Sequence, residues 1–206
     1  MSAAPTLGPA GWIRLLGVAM QFLTRVPVRI RFEPGDLRRA AGAFPLVGVF
    51  VAGTGIGVRW ALQVPLGTSL ATVAAVAATV LVTGAFHEDG FADTADGLWG
   101  GRTPDERLRI MRDSRLGTYG TVALVLLFAT KLAALVPMDL AGFARTLVPA
   151  MVLARASSLV IMRAIEPAPD SLAGLAGPPS SAGWAVAGVT SAASLAGFGV
   201  RAWLPL

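Results

Sequence analysis

Hydropathy and charge predict an all-α protein: a polytopic transmembrane helical bundle of about five spans, preceded by an N-terminal interfacial helix. Of the 206 residues, 54% are hydrophobic and only 14% charged, against roughly 25% charged in an ordinary soluble domain. Five stretches (40–62, 67–87, 118–137, 141–163 and 181–204) are apolar over the ~20 residues that a bilayer crossing needs. Small residues recur inside them, as at Gly48, Gly53, Gly57 and Ala74 to Ala78, and these let helix backbones approach closely in lipid.

At the N-terminus, the apolar run Trp12 to Leu23 is interrupted by Arg14 and is not followed by a small-residue cleavage site. It reads as a retained interfacial helix and not as a secretory signal. Arg25, Arg29, Arg31, Arg38 and Arg39 precede the first span, and Arg102, Arg107, Arg109, Arg112 and Arg115 lie between the second and third. Arginine accumulates on the cytoplasmic side of short loops, so both segments are expected there. The hairpins near Gln63 to Leu66 and Met138 to Leu140 are expected on the opposite side, with Arg59 as a mild exception. The prolines and glycines between Glu166 and Ser181 predict an irregular loop. No repeat and no second domain is evident, so residues 1–206 are expected to form one membrane domain.

Other classes are excluded by composition. Without cysteine there is no disulfide or thiolate metal site, and a single histidine, His87, argues against zinc. The net charge of +5 does not imply nucleic acid, because the arginines are scattered between apolar stretches.

Residues 88–97 hold a third of the chain's twelve acidic residues. If the second span continues as helix, Asp89, Asp93 and Asp96 fall at i, i+4 and i+7 on one face, with Glu88 about a quarter-turn away. On that reading they crowd a helix C-terminus, against its dipole. Carboxylates so close repel unless a cation lies among them, and hard oxygen ligands suit Mg²⁺ or Mn²⁺, magnesium being typically held jointly with substrate phosphates. Thr103-Pro104-Asp105-Glu106 predicts a capping box and a short surface helix to about Arg112. Beyond it, Asp113-Ser114-Arg115-Leu116-Gly117 opens the third span; a glycine-bearing turn at a helix start offers free N–H groups to anions, with Arg112 and Arg115 beside it. Lys131 and Arg155 are charges inside spans. Such charges usually face the bundle interior, where they can bind phosphates or pair with the acids.

These segments, Glu88 to Gly97, then Gly100, Gly101 and Arg102, then Ile110 to Gly120, closely resemble the cobalamin-5'-phosphate synthase (adenosylcobinamide-GDP ribazoletransferase) family. Phe22 to Val28 and Phe44 to Gly48 look like that family's two N-terminal signatures, and agreement runs from about Phe22 to Arg163. The resemblance implies transfer of phosphocobinamide from adenosylcobinamide-GDP to α-ribazole or its 5'-phosphate, with release of GMP, by a magnesium-dependent inner-membrane enzyme. Its metal would sit on Asp89, Asp93, Asp96 and Glu88, with Asp96 and Glu88 in catalysis and Asp96 as the proton acceptor. Arg102, Arg112, Asp113, Arg115, Gly117, Lys131 and Arg155 would bind substrate. Family members usually continue into a further segment, which this chain is expected to lack. A CDP-alcohol phosphotransferase fits less well, because its two paired-aspartate turns are absent. A cation transporter would place carboxylates near span centres.

Overall fold

The computed structural model describes residues 8–166 and 177–199. Among them there are helices, turns and extended connections but no strand. Three helices are long and apolar enough to cross a membrane, namely those within Asp36–Thr83, Thr118–Leu135 and Leu140–Ala164. The chain is thus an all-helical membrane protein, as its hydropathy predicts. By packing it divides into two compact units, Met1–Ile56 with Ala141–Leu206, and Gly57–Leu140.

In the first unit, α1 (Pro9–Leu23) is a helix where the sequence reading expects one. The chain then runs extended back along it, where Gln21 Oε1 accepts the Ile30 N–H at 2.9 Å and Ile30 packs onto Gly17. Arg14 grips both oxygens of the buried Asp36, at 2.9 and 2.8 Å, and so ties α1 to α2 (Asp36–Ala40). A 3₁₀ turn leads into α3 (Phe44–Thr83). Small residues set the close contacts: a Cβ at Gly48 would strike the backbone of Met151 in α7 (Leu140–Ala164), and one at Gly42 the backbone of Gly183 in α8 (Ser181–Ser194). After α8 a π-helical turn runs over Leu195–Gly199. The expected loop at 166–181 falls largely, and the end of the expected fifth span partly, outside the described residues.

α3 absorbs both of the first two expected spans. Unbroken, its 40 residues would reach about 60 Å, twice a ~30 Å hydrocarbon core. It is interrupted at Gly67, whose φ of 75° and ψ of 162° are not helical, two residues beyond Pro65. The interruption therefore falls where the sequence places a hairpin.

The second unit carries the acid-rich segment. α3 stops at Thr83 because Gly84 and Ala85 both take positive φ, 66° and 59°. A separate helix follows, α4 (Phe86–Gly100), then α5 (Pro104–Met111) and α6 (Thr118–Leu135). This corrects one expectation. Glu88 and Asp89 lie in the first turn of a new helix, where the macrodipole favours acids, not at the strained end of a long span.

Candidate active site

α4 and α6 are joined at two points. At one end the Asp96 carboxylate reaches the first turn of α6, where Oδ2 accepts the Gly117 N–H and Oδ1 the Gly120 N–H, each at 2.8 Å. Gly117 is the N-cap of α6 and has no side chain of its own to cap with. Asp96, buried to 8% exposure, supplies the cap from another helix. Glycine at both positions suits this contact, because a Cβ on either would run into the carboxylate as it is held. At the other end Lys131 Nζ lies 3.3 Å from Glu88 Oε1 and over the Phe128 ring, 5.5 Å from its centroid. α4 therefore lies antiparallel to α6, with its C-terminal end at the α6 N-terminus.

The two contacts sort the acids. Glu88 is paired, and Asp96 is committed to two amides. Asp89, exposed, and Asp93, half-buried, carry no hydrogen bond or ion pair among the described residues and share one face of α4. No three acidic or histidine side chains among the described residues come close enough to form a metal cage. Helical spacing explains this: i, i+4 and i+7 share a face but step along it by about 1.5 Å per residue. The amide groups expected to be open to an anion at Gly117 are occupied by the protein's own carboxylate.

α5 rests on α4 through two further glycines. Gly97 faces Met111, and Gly101 faces the Arg107 backbone, while Arg107 Nε donates to the Gly101 carbonyl at 3.1 Å. The capping box is present. The Thr103 hydroxyl accepts the Glu106 N–H at 3.2 Å, and Glu106 Oε2 accepts the Thr103 and Arg102 N–H groups at 3.3 and 2.9 Å. These two backbone donors hold the Glu106 carboxyl below its ordinary range.

The Asp-Ser-Arg turn is clasped internally. Arg115 Nε and Nη2 reach both Asp113 oxygens at 2.6 to 3.1 Å, and the Arg115 N–H adds a 3.1 Å bond to Oδ1. The guanidinium beside it brings the Asp113 carboxyl down to about 2. Asp96, Asp113, Arg115 and Gly117, with Gly100, Ile110, Leu116, Thr118 and Tyr119, line one open cleft of about 490 Å³. Arg102 and Arg112 are exposed and lie outside this lining. Arg155 belongs to the other unit, where it is buried and its Nη1 donates to the Met151 carbonyl at 2.9 Å.

Sequence reasoning read Arg59 only as an exception to the charge rule and missed its part in the fold. It is fully buried, donates to the Leu135 carbonyl at 3.2 Å and to that of Met138, and so closes the end of α6. It also missed the cleft wall formed by Ile110, Thr118 and Tyr119, although Gly117-x-x-Gly120 signalled a close approach there.

The model of one family, cobalamin-5-phosphate synthase, matches residues 15–205. The chain belongs to the cobalamin-5-phosphate synthase family. It is 45% identical over 148 residues to the adenosylcobinamide-GDP ribazoletransferase of Ralstonia nicotianae, covering 70% of this chain and 57% of that protein. The protein of that name from Shewanella frigidimarina is 46% identical over 138 residues, 65% of this chain and 53% of the relative. That of Bradyrhizobium diazoefficiens is 41% identical over 177 residues, 84% and 68%. The chain thus spans little more than half the length of the first two relatives. No solved structure matches it. In this member of the cobalamin-5-phosphate synthase family, the acidic helix and the Asp-Ser-Arg turn meet at one cleft.

Proposed function

We propose that this chain catalyses the ribazoletransferase reaction named for its relatives, at the cytoplasmic face of a bacterial inner membrane. In that reaction a ribose hydroxyl of α-ribazole, or of its 5'-phosphate, attacks the phosphorus attached to cobinamide. A P–O bond forms, the diphosphate P–O bond breaks, and GMP leaves. The observation that carries this reading is the single cleft that joins Asp96 of the acidic helix to Asp113, Arg115 and Gly117 of the Asp-Ser-Arg turn. The arginines at 25–39 and 102–115 support the cytoplasmic side.

Asp89 and Asp93 suit a magnesium ion, because they are the carboxylates of the stripe with no internal partner. Two carboxylates without a third match an ion that takes its remaining ligands from water and substrate phosphates. When bound, Mg²⁺ would neutralise charge developing on the diphosphate. One carboxylate of the stripe takes the hydroxyl proton; Asp96, expected in that role, has both oxygens engaged by the Gly117 and Gly120 amides. Asp96 acts as a positioning residue: it holds the α6 N-terminus, and with it the Asp113–Arg115 clasp, against α4. The Arg115 guanidinium is at the exposed edge of the cleft and can share itself with a phosphate oxygen. Lys131 holds Glu88 and so fixes the far end of the acidic helix.

The test is GMP release in proteoliposomes from adenosylcobinamide-GDP with α-ribazole, and separately with its 5'-phosphate, as a function of magnesium. Asp89→Ala and Asp93→Ala are expected to abolish turnover while membrane insertion persists. Wild-type rates for either variant at saturating magnesium would refute the assignment.

A further inference from the structure

α4 is too short and too acidic to cross a bilayer on its own, yet its surroundings place it beside one that does. α6 qualifies as a membrane-crossing helix, and α4 is pinned to it antiparallel, through Asp96 at the α6 N-terminus and through Glu88 at Lys131. From Asp96 to Glu88 is eight residues, about 12 Å along the helix at 1.5 Å per residue. The first turn of α4 therefore lies about 12 Å deeper along α6 than the cleft.

The side chains agree with that depth. At about 100° per residue, Phe91 and Leu98 project opposite to the Asp89–Asp93–Asp96 stripe, and they are 45% and 44% exposed. With Leu126 and Leu127 of α6 they line an apolar groove of about 530 Å³. In water these surfaces would be unfavourable; in hydrocarbon they are not. Trp99 is 66% exposed at the end of α4 level with the start of α6, where an interfacial tryptophan belongs. The turn between α3 and α4 also meets the demand that lipid imposes on backbone. Gly84 N–H bonds the Leu81 carbonyl at 3.1 Å, and Ala85 N–H that of Val80 at 2.9 Å.

We propose that α4 is a membrane-embedded half-helix whose Phe91–Leu98 face, continuous with α6, packs against lipid acyl chains. The carboxylates then form a ladder that descends beneath the bilayer rim on the face turned away from lipid, with the Glu88–Lys131 pair at its foot. The proposal concerns placement and stands independently of which reaction the chain performs.

The chain has no cysteine, so single-site labelling reads out directly. Spin labels at Phe91→Cys and Leu98→Cys in vesicles are compared with Leu126→Cys on α6 and Asp105→Cys on α5. Collision with oxygen relative to a water-soluble nickel chelate is expected to follow Leu126 and to exceed Asp105, with the Phe91 label deeper than the Leu98 label. Labels at Phe91 and Leu98 that match Asp105 would overturn the proposal. The unsubstituted protein gives a second reading, by photocrosslinking to phosphatidylcholine carrying an acyl-chain diazirine. Adducts on Phe91 or Leu98 are expected alongside those on Leu126; adducts on α6 with none on α4 would equally overturn it.

Discussion

Removing the Asp96 carboxylate is expected to loosen the start of α6 by an amount that its geometry sets. Asp96→Ala deprives the Gly117 and Gly120 amides of their acceptors, both at 2.8 Å, and the Gly120 contact is buried. An unsatisfied buried donor costs about 1–3 kcal/mol. Water can reach the half-buried Gly117 more easily, so the pair together is worth about 2–4 kcal/mol. Hydrogen exchange at Gly120 and Thr121, measured in detergent micelles, should accelerate roughly 30- to 700-fold. Gly120→Ala attacks the same contact from the other side, because its Cβ would meet Asp96 Oδ2 and lie 3.0 Å from the Ala92 carbonyl oxygen. Overpacking of this kind costs about 1–3 kcal/mol, offset in part by the ~1 kcal/mol that alanine gains over glycine in a helix. The two changes share one clash, so the double variant should lose less than the sum of the singles by more than about 1 kcal/mol. Unchanged exchange in Asp96→Ala, or strict additivity, would refute the capping role.

Three further outcomes follow from other contacts. Lys131→Met leaves the Glu88 carboxylate, only 13% exposed, without its cation; a loss of about 1–3 kcal/mol is expected, the cost of leaving a buried polar group unsatisfied. Exchange should rise at 86–92 but not at Gly117 or Gly120, and Glu88→Gln in the Lys131→Met background should restore protection. Thr103→Ala removes the hydroxyl that accepts from Glu106 and should destabilise α5 by about 1 kcal/mol, seen as faster exchange at the Glu106 amide. The Asp113 and Glu106 carboxyls are both held below their ordinary values, Asp113 at about 2. A depressed folded value contributes stability that is complete above the unfolded value and is lost as pH falls through the folded one. Protection of 103–115 should therefore be flat from neutral pH down to the ordinary carboxylate range and fall as pH approaches 2; a decline already between pH 8 and 6 would contradict the assigned contacts.

What could be read from the sequence was what is encoded locally or by composition. The capping box needs only Thr103 and Glu106, three residues apart, and it is present. The hairpin expected near Gln63 to Leu66 lies beside the interruption of α3 at Gly67, and hydropathy marked the helices. The stop at Thr83 was hidden, because the apolar run continues through Ala85 and Phe86, and positive φ at an alanine has no sequence signature. That one turn reversed the dipole environment expected for Glu88 and Asp89. The i, i+4, i+7 pattern put three aspartates on one face, but it could not reveal that Asp96 is engaged by Gly117 and Gly120, 21 and 24 residues away. The Arg115–Asp113 clasp spans only two residues, but their spacing alone does not separate an arginine held by its neighbour from one left to a phosphate.

Arg59 has a consequence for how the chain is threaded during synthesis. Its guanidinium is enclosed and bonded to the carbonyls of Leu135 and Met138, so in the folded protein it completes a helix end and offers no charge to a lipid headgroup. The arginine that seemed to vote against the assigned orientation is thus an internal brace. Whether the insertion machinery counts it depends on timing, because both of its partners emerge more than seventy residues later. A nascent chain halted before Leu135 would still carry that charge in the open, whereas the finished fold has withdrawn it.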